Sequence, residues 1–502
     1  MRTIFRRGAG VFALLSGAAL AVPATAQWTA EQDRTDMMRQ LGITALIPGP
    51  SGDEKAPNHA NVDEAKANPY PVLPDPLTLK NGGKVADARI WFDKRRSEIL
   101  EDYTREVYGR VPANLPPVQW KVIAADHEMV DFFNPIIARR VVGHVEDPAD
   151  PSRSIDIRMM EVLPANAKGP VPVLIMFGFG ASAWPEPSQP TPPEYDRINA
   201  AMKAMLIKQD PSLAAVFDAH QAFAFATPPG FHLPQHDANG DLSPAEQLIA
   251  AGWGYVALDP TSAQPDNGEG LRSGIIGIGN HGAPRKPEDW GALRAWAWTA
   301  SQVREWLSTD KAVDAGKIGI EGVSRYGKAA LVTMAFDPKF AVGLIGSSGK
   351  GGGTLLRRNF GENVANLGTG ESYWFAGNFL KYNTKGVSKP NMDANDLAVD
   401  SNELFALAAP RPLFISHGVP EAGDAHWIDQ NGAWKAAYDA GRVYKLLGKT
   451  GVGVAGPAEM PPPTTMIDGA LAWRQHTGGH TDVPNFRYFI PWANKELGVG
   501  KP

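Results

Sequence analysis

Ser324 stands in Gly322-Val323-Ser324-Arg325-Tyr326-Gly327-Lys328, with Lys317-Ile318-Gly319-Ile320 ahead of it and Ala329-Ala330-Leu331-Val332 behind. An apolar run, a glycine-flanked serine and a small-residue run predict a strand, a cramped turn and a helix, the setting of a nucleophile elbow. The second glycine comes one place later than in the Gly-x-Ser-x-Gly form. A hydroxyl so placed stands at the top of a sheet beside the amino end of a helix. It can attack an acyl carbon once a base removes its proton. An ordinary loop serine is the competing reading of the peptide by itself.

The partners of such a serine follow it as acid, then histidine. His480, in Gly478-Gly479-His480-Thr481-Asp482 ahead of a final predicted helix, has the position of the base. His476 is its nearest competitor, with a structural role expected. His417 and His426 lie near a preceding strand end and could line a cleft. The acid is expected just after the strand over residues 412–417, where Glu421, Asp424 and Asp429 are candidates. Asp424 follows a glycine and precedes Trp427 in a loop long enough to turn its carboxylate back; Glu421 is the alternative. A solvated loop carboxylate is the plain reading of any of the three.

The elements that must hold these groups alternate between strand and helix. Val171 to Phe177 is a near-continuous apolar run suited to a buried parallel strand, and Gly254 to Asp259 is another. Ahead of them, residues 154–159 alternate with period two and pair with 138–145 across a turn at 146–153. A helix is predicted over 88–108. Leu293, Trp296, Ala297, Ala300, Val303 and Leu307 mark an amphipathic helix just before the elbow strand. Strands at 341–346 and 412–417 and a helix over 432–447 follow. The expected architecture is a doubly wound α/β sheet. About seventy residues, 181–251, form an insertion after the early parallel strand, with a helix around 198–208. Within it Asp237-Ala238-Asn239-Gly240-Asp241 has some features of a calcium loop, but its glycine comes early and the closing glutamate is missing. A turn with Ser243 as a cap is preferred, and no metal is expected.

The 502 residues carry a net charge of −5 with 43% hydrophobic residues and no cysteine. Composition of this kind excludes a nucleic-acid partner and a disulfide scaffold, so stability must come from core size. Arg2, Arg6 and Arg7, an apolar stretch over 11–22 and Ala24-Thr25-Ala26 read as a signal peptide over 1–26, with ordinary secretion favoured over twin-arginine export. No later stretch is long enough to span a membrane. A monomer, secreted or periplasmic, is expected. Residues 27–85, rich in Pro, Asn, Asp and Gly, read as an extended arm laid over a catalytic domain of residues 86–502.

Gly322–Lys328, Gly370-Glu371-Ser372-Tyr373-Trp374-Phe375, the stretch Asp424 to Trp427 and Gly478-Gly479-His480 together resemble the glucuronoyl esterases of carbohydrate esterase family 15. The resemblance runs from about Pro74 to Leu497, and the Ser-Arg-x-Gly-Lys form of the elbow carries most of it. It implies an α/β-hydrolase fold, a three-layer α/β/α sandwich, working without cofactor or metal. The implied substrates are esters of glucuronoxylan, cleaved between 4-O-methyl-glucuronic acid and lignin alcohols. By the same motifs Ser324 would be the nucleophile, His480 the base and Arg325 an oxyanion-hole donor. Lys328 and Glu371 would bind sugar hydroxyls, and Trp427 would pack on the sugar. Locally, Lys328 reads as a surface lysine and Trp427 as core. Two departures stand out. Fungal members place the triad glutamate 23 residues after the serine, where this chain has Ser347, and their cysteine before the serine is Val323 here. The acid must then come from after the later strand, which supports Asp424. An acetyl-xylan or other carbohydrate esterase on the same fold, or an inactive carbohydrate-binding relative, are the rival functions.

Overall fold

The computed structural model describes residues 28–500 except 54, 68–71, 132–133, 179–192, 220–239 and 453–458. Both the signal-peptide segment 1–26 and most of the calcium-like loop 237–241 lie outside those residues. Among the described residues ten strands form one sheet in the order β1-β2-β3-β5-β4-β6-β7-β8-β10-β9. β1 (Gln119–Asp131), β2 (Asn134–Asp147) and β3 (Asp150–Pro164) make an antiparallel meander whose last strand pairs antiparallel with β5 (Gly254–Asp259). From β5 the sheet runs parallel through β4 (Val171–Phe177), β6 (Val313–Val323), β7 (Val342–Gly346), β8 (Leu413–Gly418) and β10 (Leu471–His476). The short β9 (Met466–Ile467) closes the edge antiparallel to β10.

Alternating strand residues feed two cores. In β4, Val173, Ile175 and Phe177 face one side, while Leu174 and Met176 face the other. On the first side pack α1 (Ala292–Leu307), α2 (Arg325–Phe336), α3 (Ser401–Ala408), α4 (Gln430–Leu446) and the helical stretch over 88–108. On the second pack the helix Pro244–Ala250 and α5 (Phe486–Leu497). This is a three-layer α/β/α sandwich. All six apolar positions read from the sequence in α1 are buried; a side chain such as Leu293, Val303 or Leu307 contributes roughly 1.5–3 kcal/mol when fully buried. Crossovers of this kind bring the carboxyl ends of β6, β8 and β10 to one edge, where a site can be assembled from their loops.

The N-terminal arm differs from the expectation of an extended chain. Ala30–Leu41 is a helix, started by a reciprocal cap between Thr29 and Gln32. It is tied down by Asp33, whose Oδ2 accepts from Arg285 Nη2 at 2.6 Å, with both residues buried. Beyond it the arm runs against the loops that follow β7: Gly361 N donates to Asn61 O at 2.7 Å and Asn366 Nδ2 to Pro50 O at 2.8 Å. In the insertion, Pro193–Gln209 and Leu213–Ala219 are helices. Ser243 caps Pro244–Ala250, its Oγ accepting from Glu246 N at 3.2 Å.

The turn between β6 and α2 is cramped. Ser324 adopts φ 60°, ψ −128°, a conformation that side chains other than glycine rarely hold. Its N–H donates to Gly346 O of β7 at 2.9 Å, which pins the strained residue to the neighbouring strand. A Cβ on Gly322 would lie 2.4 Å from Tyr326 O, and one on Gly327 2.5 Å from Gly346 O. Both glycines are therefore required by close backbone approach. Gly327→Ala should cost on the order of 1–3 kcal/mol and lower the melting temperature in a thermal denaturation scan. An unchanged transition would show that the helix can draw back from β7 without loss.

Candidate active site

Ser324 and His480 line one cavity, with Ser324 delivered by the elbow and His480 by the loop after β10. Of the three acids proposed from sequence, only Asp424 reaches the histidine. Its Oδ1 lies 2.6 Å from His480 Nδ1. Its Oδ2 accepts from Ser347 Oγ at 2.7 Å, and Ala425 N donates to Oδ1 at 2.8 Å. Burial raises the Asp424 carboxyl, but the hydrogen bonds from His480 and Ser347 outweigh it and hold the group below its ordinary value. Asp424 is thus a carboxylate at neutral pH and keeps the proton of neutral His480 on Nδ1, freeing the other ring nitrogen for a hydroxyl. Since its value is depressed in the fold, Asp424 adds stability above the ordinary carboxylate range that is lost as pH falls through the lowered value.

The other candidates have different partners. Glu421 is exposed on the turn Pro420–Ala422. Asp429 is buried and occupied, with Arg358 Nε 3.0 Å from each of its oxygens and Gly432 N donating at 2.9 Å to start α4. His476 is buried on β10 and accepts from Gly478 N at 3.1 Å, shaping the turn that leads to His480. His417 is buried too, stacked on Trp473 at 5.0 Å between ring centres, so it does not line the cleft. Burial drives both imidazoles down to about 4, leaving them neutral. His426 is exposed and lines a small hollow beside Trp427.

Arg325, first residue of α2, lies over the Trp374 ring at 5.3 Å and is hydrogen-bonded to Asp266. Asp266 also accepts from Trp374 Nε1 at 2.8 Å and from Tyr373 Oη at 3.2 Å, so the guanidinium is held from two directions. Lys328, one turn along α2, is not the surface lysine its position suggests. Its side chain is only 5% exposed, with Nζ 3.9 Å from Glu362 Oε2 and 5.5 Å from the Trp374 ring centre. Burial lowers its ammonium, against the pull of Glu362 and Glu371. Glu371 is raised to about 7, first by burial and then by Glu362, against Lys328 and Arg325. Trp427 is no core residue: it is 49% exposed, and Gly52 of the arm lies against its ring, where a Cβ would come within 3.8 Å.

Two cavities meet at Ser324 and Arg325. One, of 400 Å³, is lined by Lys328, Glu362, Asn366, Glu371, Trp374 and Trp427, with Gly49, Pro50, Gly52 and Ala60 of the arm as a wall. The other, of 530 Å³, holds His480 and the apolar side chains of Met176, Pro244, Val323, Tyr326 and Val483. Among the described residues no group of three or more His, Asp or Glu forms a metal cage. Asp266 and Glu362 escaped the sequence reading because their partners are far along the chain. Asp266 had a faint signal, as a carboxylate in Pro265-Asp266-Asn267-Gly268 soon after a strand end.

The family profile described as glucuronyl esterase, fungi, matches residues 285–448. A CE15 glucuronoyl esterase from Teredinibacter turnerae is 38% identical with a TM-score of 0.75, over 93% of this chain and 99% of that one. A glucuronoyl esterase from Solibacter usitatus is 29% identical with a TM-score of 0.68, over 87% of this chain and all of the other (100%). A carbohydrate esterase from an unknown prokaryotic organism is 28% identical across 93% of this chain and 99% of its own length. The 4-O-methyl-glucuronoyl methylesterase of Podospora anserina is 32% identical over 32% of each chain.

Asp424→Asn should lower kcat for ester hydrolysis ~10³–10⁴-fold, because an amide presents His480 with the wrong tautomer and no charge. Glu421→Gln should stay within about twofold of the unmodified protein, as expected of a surface change. Steady-state kinetics of the two variants would contradict the placement if their order were reversed.

Proposed function

The chain belongs to carbohydrate esterase family 15, and on that premise we propose that it is a serine esterase of glucuronoyl esters, with the sugar as acyl half and an alcohol as leaving group. The observation that carries this reading is the pair of unlike cavities meeting at Ser324 and Arg325. Charged and amide groups with a tryptophan suit a sugar carboxyl ester, whose hydroxyls need fixed partners. The cavity on the His480 side presents Met176, Pro244, Val323, Tyr326 and Val483 and suits an alkyl or aryl alcohol. A leaving group must lie beside the acid that protonates it, which assigns the alcohol to that side.

In the proposed reaction His480 takes the Ser324 proton as Oγ attacks the C6 carbonyl of the sugar. The oxygen of the tetrahedral intermediate becomes anionic only then, so a fixed cation beside it favours the transition state over the bound ester. Arg325 serves this role with its guanidinium, held by Asp266 and Trp374, and with its backbone N–H at the start of α2. Collapse expels the alkoxide, which takes the proton from His480 and leaves as the alcohol. A glucuronoyl ester of Ser324 remains. Water then adds with His480 again as base, and the second collapse returns the proton to Ser324 and frees the uronic acid. Lys328 and Glu371 hold sugar hydroxyls, Glu362 orients Lys328, and Trp427 covers the sugar from the arm side. The polymer is glucuronoxylan and the alcohol a lignin alcohol. The chain acts after export, led by residues 1–26; among the described residues no helix is long and apolar enough to cross a membrane.

Ser324→Ala should lose ~10³-fold or more in kcat while keeping its fold, since the hydroxyl forms the covalent intermediate. For specificity, kcat/KM for a methyl or benzyl glucuronate ester should exceed that for acetylated xylose at least ~10²-fold. An acetyl group would leave Lys328 and Glu371 unpaired, and buried groups without partners discriminate strongly. Lys328→Ala should erode this preference and spare hydrolysis of a small activated acetate. Preference of the unmodified enzyme for the acetylated sugar would replace this reading with the acetyl-esterase one.

A further inference from the structure

Two carboxyls that the proposed reaction does not use lie at the wall of the alcohol cavity. Glu321 sits on β6 three residues before Ser324, and Asp482 two residues after His480. Both are buried, at 2% and 4% exposure, line the same cavity and lie within hydrogen-bonding reach of each other. No N–H or hydroxyl donor reaches Glu321 Oε2 or Asp482 Oδ2. Two adjacent carboxylates cannot both ionise in such a place, so one proton must lie between them. The other titratable groups on the cavity are Asp266, Arg325, Tyr326 and His480. Arg325 is bound by Asp266, so its charge does not compensate the pair, and His480 is turned to Asp424. Asp482 is also held by its backbone: Asn485 N donates to its carbonyl at 2.8 Å, and a Cβ on Gly346 would meet its Cβ at 3.3 Å.

We propose that the proton shared by Glu321 and Asp482 clamps the loop carrying the base onto the strand carrying the nucleophile, making both carboxyls positioning residues for His480. The inference rests on the Ser324–His480 reading. Its physical content is geometric. Asp424 fixes one side of the imidazole, and among the described residues no side-chain hydrogen bond or ion pair to another group joins the loop after His480 to β6. Release of the shared proton to solvent leaves two buried negative charges that repel, and the loop moves away from Ser324. Burial raises both groups, Asp482 to about 6 and Glu321 well above its ordinary value, which keeps the proton in place at neutral pH. The clamp therefore holds at neutral pH and fails on the alkaline side.

The test is the pH dependence of kcat on a methyl glucuronate ester, together with fluorophosphonate labelling of Ser324 at each pH. The unmodified enzyme should lose kcat and labelling rate together along an alkaline limb, and regain both on return to pH 7. Glu321→Gln replaces the shared proton with an amide hydrogen that cannot be lost, so its limb should move up by at least about one pH unit. Glu321→Ala, without any bridge, should lower kcat at neutral pH ~10-fold or more with KM within about twofold. Rescue by Gln and a kcat effect without a KM effect distinguish positioning from packing. If Glu321→Ala does not fold, the profiles of the unmodified enzyme and Glu321→Gln decide. Coincident limbs for those two, with Ser324 labelled in both, would overturn the clamp alone. Failure of Ser324 to label in the unmodified enzyme would overturn the serine reading beneath it as well.

Discussion

A buried carboxylate kept ionised holds this site together. Asp424 lies out of water, which by itself favours the neutral acid. It stays charged because His480, Ser347 and the Ala425 N–H all donate to it. Those donors come from the loop after β10, the end of β7 and the loop after β8, so one ion sets the relative position of three segments at the carboxyl edge of the sheet. Ser347, just after β7, donates its hydroxyl to a carboxylate that comes from the loop after β8, so two distant chain positions converge on one point in space.

Around that point lie two cavities. In the one walled by the arm the ionisable groups depend on each other: Lys328 is lowered by burial and supported by Glu362 and Glu371, while Glu371 rises to about 7. Removing any one leaves another buried without compensation, a cost of about 1–3 kcal/mol or more for a charged group. On the proposed reading, such a cluster selects for ligands that bring hydroxyls in fixed directions. The arm contributes to the selection by placing Gly52 against Trp427, which the helix Ala30–Leu41 makes possible by anchoring Asp33 to Arg285.

Much of this was legible in local sequence. The elbow could be read because strand, turn and helix lie within about twenty residues, and the two glycines mark close approach directly. The central strands could be read because burial on both faces makes them continuous apolar runs. Asp424 followed from chain order and its loop. What stayed hidden depends on contacts distant in sequence. Asp266 meets Arg325 59 positions along, and Glu362 meets Lys328 only because the segment after β7 folds back over α2. β1 was missed as the outermost strand of the meander, with less to bury. The helix Ala30–Leu41 was obscured by the proline and glycine that follow it. Glu321 had the clearest unread signal, a carboxyl inside the apolar strand that leads to the nucleophile.

The central claim is that the sugar, not the alcohol, becomes bonded to Ser324. Rapid-quench mass spectrometry of the unmodified enzyme turning over a benzyl glucuronate ester tests it directly, since a covalent intermediate accumulates wherever its hydrolysis is slower than its formation. The account predicts a glucuronoyl adduct on the peptide that contains Ser324, with benzyl alcohol released in step with its appearance. An adduct on another residue, or alcohol retained on the protein in place of the sugar, would contradict it.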